Sequence, residues 1–168
     1  MHHRHWLIVG AAVGIAALAG IYIVHTYAAA TPNYVPTITP YSVNQMLPTK
    51  TIAVGTTTLT VEVATTPAEQ AGGLSGRTGL APGTGMLFVF PTAGAYQFWM
   101  KDMQFAIDML WLDSEGTVTY IAANATPESY TQTPPQTFGT QTPSQYVLEV
   151  PAGWAAAHGV AEGCKFVL

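Results

Sequence analysis

Charge is what this chain has least of. Charged side chains make up 8% of it, against roughly a quarter in an ordinary soluble domain, so each charge inside an apolar stretch needs an explanation. Basic residues are the scarcer kind. From position 50 onward they are Lys50, Arg77, Lys101 and Lys165, set against nine carboxylates. No basic stripe is available to neutralise phosphates, which excludes nucleic acid as a partner. Cysteine is nearly absent as well. Cys164 alone rules out an intramolecular disulfide, and it lies too far along the chain to be a lipid-modified N-terminal cysteine. His158 is the only histidine after His25, so a histidine-rich zinc site cannot be assembled. Neither a phosphate loop nor a dinucleotide fingerprint is present, and no cofactor or metal is expected.

What is present begins with a long apolar run. Trp6 to Val24 carries no charged side chain and has about the length that crosses a hydrocarbon core of ~30 Å at 1.5 Å per residue. Arg4 precedes it, and no Lys, Arg, Asp or Glu follows until Lys50. Positive charge therefore stays on the cytoplasmic side and everything after Val24 is expected outside. Residues 1–27 read as a permanent membrane anchor through residues 6–24 or as a secretory signal cut after Ala30. The length of the run favours the anchor, and its alanine and glycine content favours cleavage. Residues 28–48, with Pro32, Pro36 and Pro40 at intervals of four, read as an extended linker. Residues 49–168 are then one domain of ordinary size.

Within that domain the pattern is mostly β, α+β at the margin. Thr51–Val54 and Thr58–Ala64 flank Gly55, Thr56 and Thr57 as a hairpin, with Leu59, Val61 and Val63 on one face and Thr60 and Glu62 on the other. Thr66-Pro67-Ala68-Glu69 is a capping box opening a short helix. Met86 to Phe90 reads as a buried strand ended by Pro91, and Tyr96–Lys101 as another strand. Ala106–Leu112 and Thr117–Ala122 form a second hairpin around Asp113 to Gly116. Tyr146–Val150 and Cys164–Leu168 are strands, separated by a short helix from Pro151 through Trp154 that Gly159 closes. Residues 125–145 are rich in Thr, Pro and Gln without a period, either a lid or a surface excursion. Many short strands with two short helices predict a compact β-barrel-like domain.

The motifs that carry chemistry are few. Gly73-Leu74-Ser75-Gly76 is the start of a nucleophile elbow, but Arg77 replaces its last glycine and the segment ends a helix, so it is set aside. His158 suits the cap of a helix C-terminus, and Cys164 alternates with Phe166 and Leu168 as a core residue would. One polar constellation stands out. Lys101, Asp102 and Asp108 cluster amid Phe98, Trp99, Met100, Phe105 and Trp111. Asp108 shares its strand face with Leu110 and Leu112, while Ile107, Met109 and Trp111 take the other. A carboxylate in such surroundings needs a partner, and Arg77 and Lys101 are the cations at hand. Glu149, between Leu148 and Val150, needs one too. The candidate cleft is thus Arg77, Trp99, Lys101, Asp102, Asp108 and Glu149.

The ordered motifs Gly73-Leu74-Ser75-Gly76-Arg77, Gly85-Met86-Leu87-Phe88, Phe98-Trp99-Met100-Lys101, Ile107-Asp108 and Leu148-Glu149-Val150-Pro151-Ala152-Gly153 resemble the domain-of-unknown-function family numbered 192, over about Ile52 to Leu168. Asp102 stands where asparagine is expected and Ser75 where methionine is common. The resemblance implies a compact β-rich domain, often exported, with Arg77, Lys101, Asp108 and Glu149 as its polar positions and no established reaction. The expected function is a non-catalytic extracytoplasmic module, membrane-tethered or secreted, that binds a small polar ligand such as a saccharide, or an envelope partner. A small hydrolase using Asp108 and Glu149 as a carboxylate pair and a purely structural domain are the alternatives. Oligomeric state is not legible.

Overall fold

The computed structural model describes residues 46–168, so the readings of the apolar run, its cleavage and nearly all of the linker lie outside the described residues. Among the described residues no helix is long and apolar enough to cross a membrane. Leu47 is buried in the core and the Pro48 carbonyl accepts from Val63 N at 2.9 Å. The packed domain therefore takes in the last residues of the segment read as linker.

The domain is mostly β, a curled half-barrel sheet with two short helices. Strands β1 (Thr49–Val54) and β2 (Thr57–Ala64) pair antiparallel about Gly55, which turns with φ 56°, a conformation glycine takes without steric cost. Helix α1 (Pro67–Gly72) opens with the expected capping box, Thr66 accepting from Glu69 N while Glu69 accepts from Thr66 N. The chain then crosses back to β3 (Thr84–Gly94), which pairs parallel with β2. A parallel pair needs a crossover, and residues 65–83 supply it. Strand β4 (Gln97–Phe98) pairs with β7 (Phe138–Gly139) in a small second sheet. Strands β5 (Ile107–Leu112), β6 (Val118–Ala125) and β8 (Ser144–Pro151) complete the main sheet with β9 (Phe166–Val167), in the order β6-β5-β8-β3-β2-β1-β9. The two ends of that order approach each other. Thr117 bridges Lys165, Val118 N donates to the Cys164 carbonyl and Phe166 N to the Gly116 carbonyl.

Several expected elements have other bounds. Strand β3 does not stop at Pro91 but runs through it. Its pairing with β8 lapses between Val89 and Gly94, so the missing N–H of the exposed proline interrupts no ladder bond there. Of Tyr96–Lys101 only Gln97–Phe98 is strand, because its partner β7 is two residues long and the chain turns at Asp102, whose φ is 56°. Pro151 ends β8, and α2 (Trp154–Ala157) starts only after Gly153, whose φ of 79° breaks the strand. The Thr/Pro/Gln stretch is ordered locally. It carries a 3-10 helix (Pro127–Thr131) whose Ser129 is buried, and it carries β7.

The sheet packs on both faces. Side chains from all seven strands meet on the inner face, among them Ile52, Val61, Leu87, Leu110, Leu148 and Phe166, closed by Trp154 of α2. The outer face carries Met86, Phe88, Met109, Trp111 and Val147, covered by Leu74 and by Phe98 and Met100. Phe98 sits edge-on to Phe88 at 5.1 Å and to Trp111 at 5.7 Å between ring centroids, a favoured aromatic geometry. The Trp111 indole N–H, which burial would otherwise leave costly, donates to the Tyr96 carbonyl at 2.9 Å. With both faces covered, a polar group anywhere on the central strands is buried.

Candidate functional site

Two carboxylates sit on those central strands, and the register separates them. Asp108 on β5 is opposite Val150 on β8, while Glu149 is opposite Met109. Cross-strand partners share a face, so Asp108 points inward with Val150 and Glu149 outward with Met109.

Asp108 is fully buried, and backbone groups answer it. Strand β6 carries one extra residue opposite β5, between the pairs Ile107–Ala125 and Met109–Ala122. Asn124 in that bulge has φ 53°, which turns its backbone N–H onto Asp108 Oδ1 at 2.8 Å. Gly153 N donates to the same oxygen at 3.0 Å, and Ala155 N to Oδ2 at 3.0 Å. Three backbone donors from two segments satisfy the carboxylate, two of them at the start of α2. The expectation that Arg77 or Lys101 would pair with Asp108 is corrected by this geometry. Asp108 pins α2 and the β6 bulge to the sheet.

Glu149 is 6% exposed. Burial pushes its pKa up to about 8, against the opposing pull of the Arg77 charge. Its neighbours on the outer face follow from register. Glu62 on β2 is beside Met86 on β3, Met86 is beside Glu149 on β8, and Glu149 is beside Met109 on β5. The row Glu62–Met86–Glu149–Met109 thus crosses four strands. Gly85 allows the close packing here, since a Cβ at that position would lie 2.6 Å from the Glu149 carbonyl oxygen.

Arg77 reaches this row from the crossover after α1. Both its terminal nitrogens engage Glu62, Nη2 at 2.8 Å from Oε2 and Nη1 on Oε1, the planar two-pronged geometry that guanidinium and carboxylate favour. The pair is about one-third exposed. Glu62 was legible in the sequence only as a polar residue on the β2 face opposite Leu59 and Val61. The signal for its role was the combination of that face with a parallel crossover returning over it.

The remaining candidates lie on the loop between β4 and β5. Lys101 Nζ is 4.0 Å from Asp102 Oδ2, the limit of an ion pair, and Asp102 is exposed with φ 56°. Trp99 meets Tyr130 edge-on at 5.6 Å. This loop is tied to the Arg77 segment by Gly76 N to the Asp102 carbonyl at 2.8 Å and Ser75 Oγ to the Lys101 carbonyl at 3.0 Å. Ser75 is thereby a loop tie rather than a nucleophile. The structure brings Arg77 and Glu149 together, sets the 99–102 loop beside Arg77, and leaves Asp108 on the other side. Among the described residues no group of three His, Cys, Asp or Glu side chains could hold a metal ion. His158 caps α2, its Nδ1 2.8 Å from the Trp154 carbonyl, and Cys164 packs against the inner core.

Comparison with known proteins places this arrangement. The family DUF192, described as "Uncharacterized ACR", matches residues 49–168. The chain belongs to this family. Two solved structures share the fold. One is a proposed transcription regulator from Sinorhizobium meliloti 1021, 32% identical, with a TM-score of 0.68 over 73% of this chain and 95% of that one. The other is a protein of unknown function from Novosphingobium aromaticivorans DSM 12444, 30% identical, with a TM-score of 0.67 over 83% of this chain and 94% of that one. No curated protein matches. Every candidate residue in this DUF192 domain falls within the matched span.

Proposed function

We propose that this DUF192 domain is a non-catalytic module, held outside the cytoplasm by its N-terminal segment or secreted after cleavage, that binds a small polar ligand or envelope partner at the Glu62–Arg77–Glu149 face. One observation supports it above the rest. Glu149 keeps a carboxyl almost wholly buried in the outer face, where burial pushes its pKa up to about 8 against the opposing charge of Arg77. Perturbed carboxyls gather at functional sites. Trp99, Lys101 and Asp102 on the neighbouring loop offer further polar and aromatic contacts at its margin.

The hydrolase alternative has no support, because Asp108 and Glu149 on opposite faces cannot flank one scissile bond. The purely structural alternative suits Asp108 and fails to explain Glu149. The regulator designation of the S. meliloti relative does not carry over, since a domain with four basic residues from Lys50 onward lacks the charge for nucleic acid.

A thermal-shift screen of the full-length chain against sugars and envelope fragments tests the reading, run in parallel on Glu149→Gln. A ligand that raises the melting temperature of the wild type and not of the variant supports it. A panel that stabilises both chains equally, or neither, leaves the structural reading in its place.

A further inference from the structure

We propose that the chain's own proline-rich segment, residues 31–45, docks across the outer face as a strap, seating Tyr34 and Tyr41 against Trp99 and Arg77. The strap does not depend on that face taking a ligand; where it does, the segment competes for the same surface.

The point at which the chain enters the domain comes first. Leu47 is buried in the outer-face cluster with Leu74, Phe98 and Met100. Leu74 stands three residues before Arg77, and Phe98 and Met100 flank Trp99. The Pro48 carbonyl accepts from Val63 N at 2.9 Å, next along the strand from Glu62. Met46 is 94% exposed. The chain therefore reaches the surface at position 46, on the side of the sheet that carries Arg77 and Trp99 and not on the side of α2.

The surface it meets there is aromatic and incompletely covered. Trp99, Phe105, Tyr130 and Phe138 are all half-buried, and the last three pack on the outer core. Trp99 meets Tyr130 edge-on at 5.6 Å. Arg77 and Lys101, with 31% and 21% of their side chains exposed, add two cations to the same side.

The segment suits that surface. Thr31 to Gln45 carries no charged side chain, has Pro32, Pro36 and Pro40 at every fourth position, and holds Tyr34 and Tyr41. Proline fixes φ and has no N–H to leave unsatisfied, so a polyproline II segment loses little freedom on an aromatic-lined surface. In that form residues 34–45 cover roughly 35 Å at about 3.1 Å per residue, about the diameter of a small domain. A tyrosine ring takes a guanidinium on its face and packs edge-on against an indole. The tether decides between this occupant and a second copy. A short link gives the segment an effective concentration on the order of mM, which a free partner would have to match in solution.

The test uses the full-length chain in detergent micelles, nitrogen-15-labelled at tryptophan, with Cys164→Ser and Thr37→Cys so that a nitroxide is attached within the segment alone. The Trp99 indole resonance is assigned by its loss in Trp99→Phe, and Trp154 on the inner face is the reference. The expected result is loss of the Trp99 resonance to paramagnetic broadening while Trp154 persists, with Trp99 recovered when Tyr34→Ser and Tyr41→Ser are added. Both tyrosines lie outside residues 46–168, so the core keeps its composition. Equal broadening with and without the tyrosines reports the tether alone and overturns the strap, as does a Trp99 resonance that the nitroxide never broadens. Nitrogen-15 chains without nitroxide are also mixed with nitroxide chains without nitrogen-15. Broadening of Trp99 in that mixture puts the segment on a second copy and overturns docking within one chain.

Discussion

Asp108 and Glu149 lie on neighbouring strands, one residue out of register, and face opposite sides of the sheet. The separation decides their chemistry. Asp108 meets three backbone N–H groups on the inner side, whereas Glu149 meets thioethers and a guanidinium on the outer side. The first is bonded by three backbone donors of the fold itself, and burial favours the neutral form of the second.

Asp108→Ala should destabilise the domain by about 3–5 kcal/mol, because three buried or half-buried donors lose their acceptor at once. The melting temperature should fall by roughly ten degrees or more. Asp108→Asn keeps one carbonyl oxygen and should lose less. A fall of under about two degrees for the alanine variant, by calorimetry, would show that water reaches those donors.

Glu149 should make stability fall with rising pH. Its pKa is about 8 in the folded domain against an ordinary 4.5. Below 4.5 both folded and unfolded chains hold the proton. Between those values only the folded chain does, so each pH unit across that window costs about 1.4 kcal/mol. Above about 8 the loss is complete and constant. Glu149→Gln should abolish this slope and be the more stable protein at pH 8, by denaturant melts across the range.

Arg77→Ala should act weakly on stability and visibly on Glu149. The Arg77–Glu62 pair is partly solvent-exposed, so its loss should cost about 1 kcal/mol or less. Removing the guanidinium also removes the charge that lowers the Glu149 pKa, and the midpoint should climb above its wild-type value. An unchanged midpoint by carbon-13 NMR would separate the two groups.

Features set by local chemistry were readable in advance. The capping box at Thr66, the hairpin at Gly55 and the two-sided burial of β5 all follow from residues within a few positions of one another. What could not be read was which partner a charge would find. The donors to Asp108 are backbone groups of Asn124, Gly153 and Ala155, and no side-chain identity announces a backbone N–H. Arg77 was picked out as a polar position without its partner Glu62, which the parallel crossover brings beneath it. The strand expected at Tyr96–Lys101 shrank because its partner β7 offers only two residues to pair with and the chain turns at Asp102.

Orientation across the membrane is open to a direct measurement. With Arg4 before the apolar run and no further charge until Lys50, a reporter fused after Leu168 should be active outside the cytoplasm. Activity confined to the cell interior would remove the extracytoplasmic half of the proposed function and leave the Glu149 face untouched.

The bridge from Thr117 to Lys165, with Phe166 bonded back to Gly116, sets a timetable for folding during synthesis. Strand β1 is made early, but its outer neighbour is β9, more than a hundred residues later. A nascent chain halted anywhere before Phe166 therefore carries an unpaired strand edge at each end of the growing sheet, the kind of edge that recruits foreign strands. Pairings this distant in sequence also form slowly. Lys165 and Phe166 are the residues that tie the two ends of the sheet to each other, so a chain stalled or trimmed before them would leave both edges open to foreign strands.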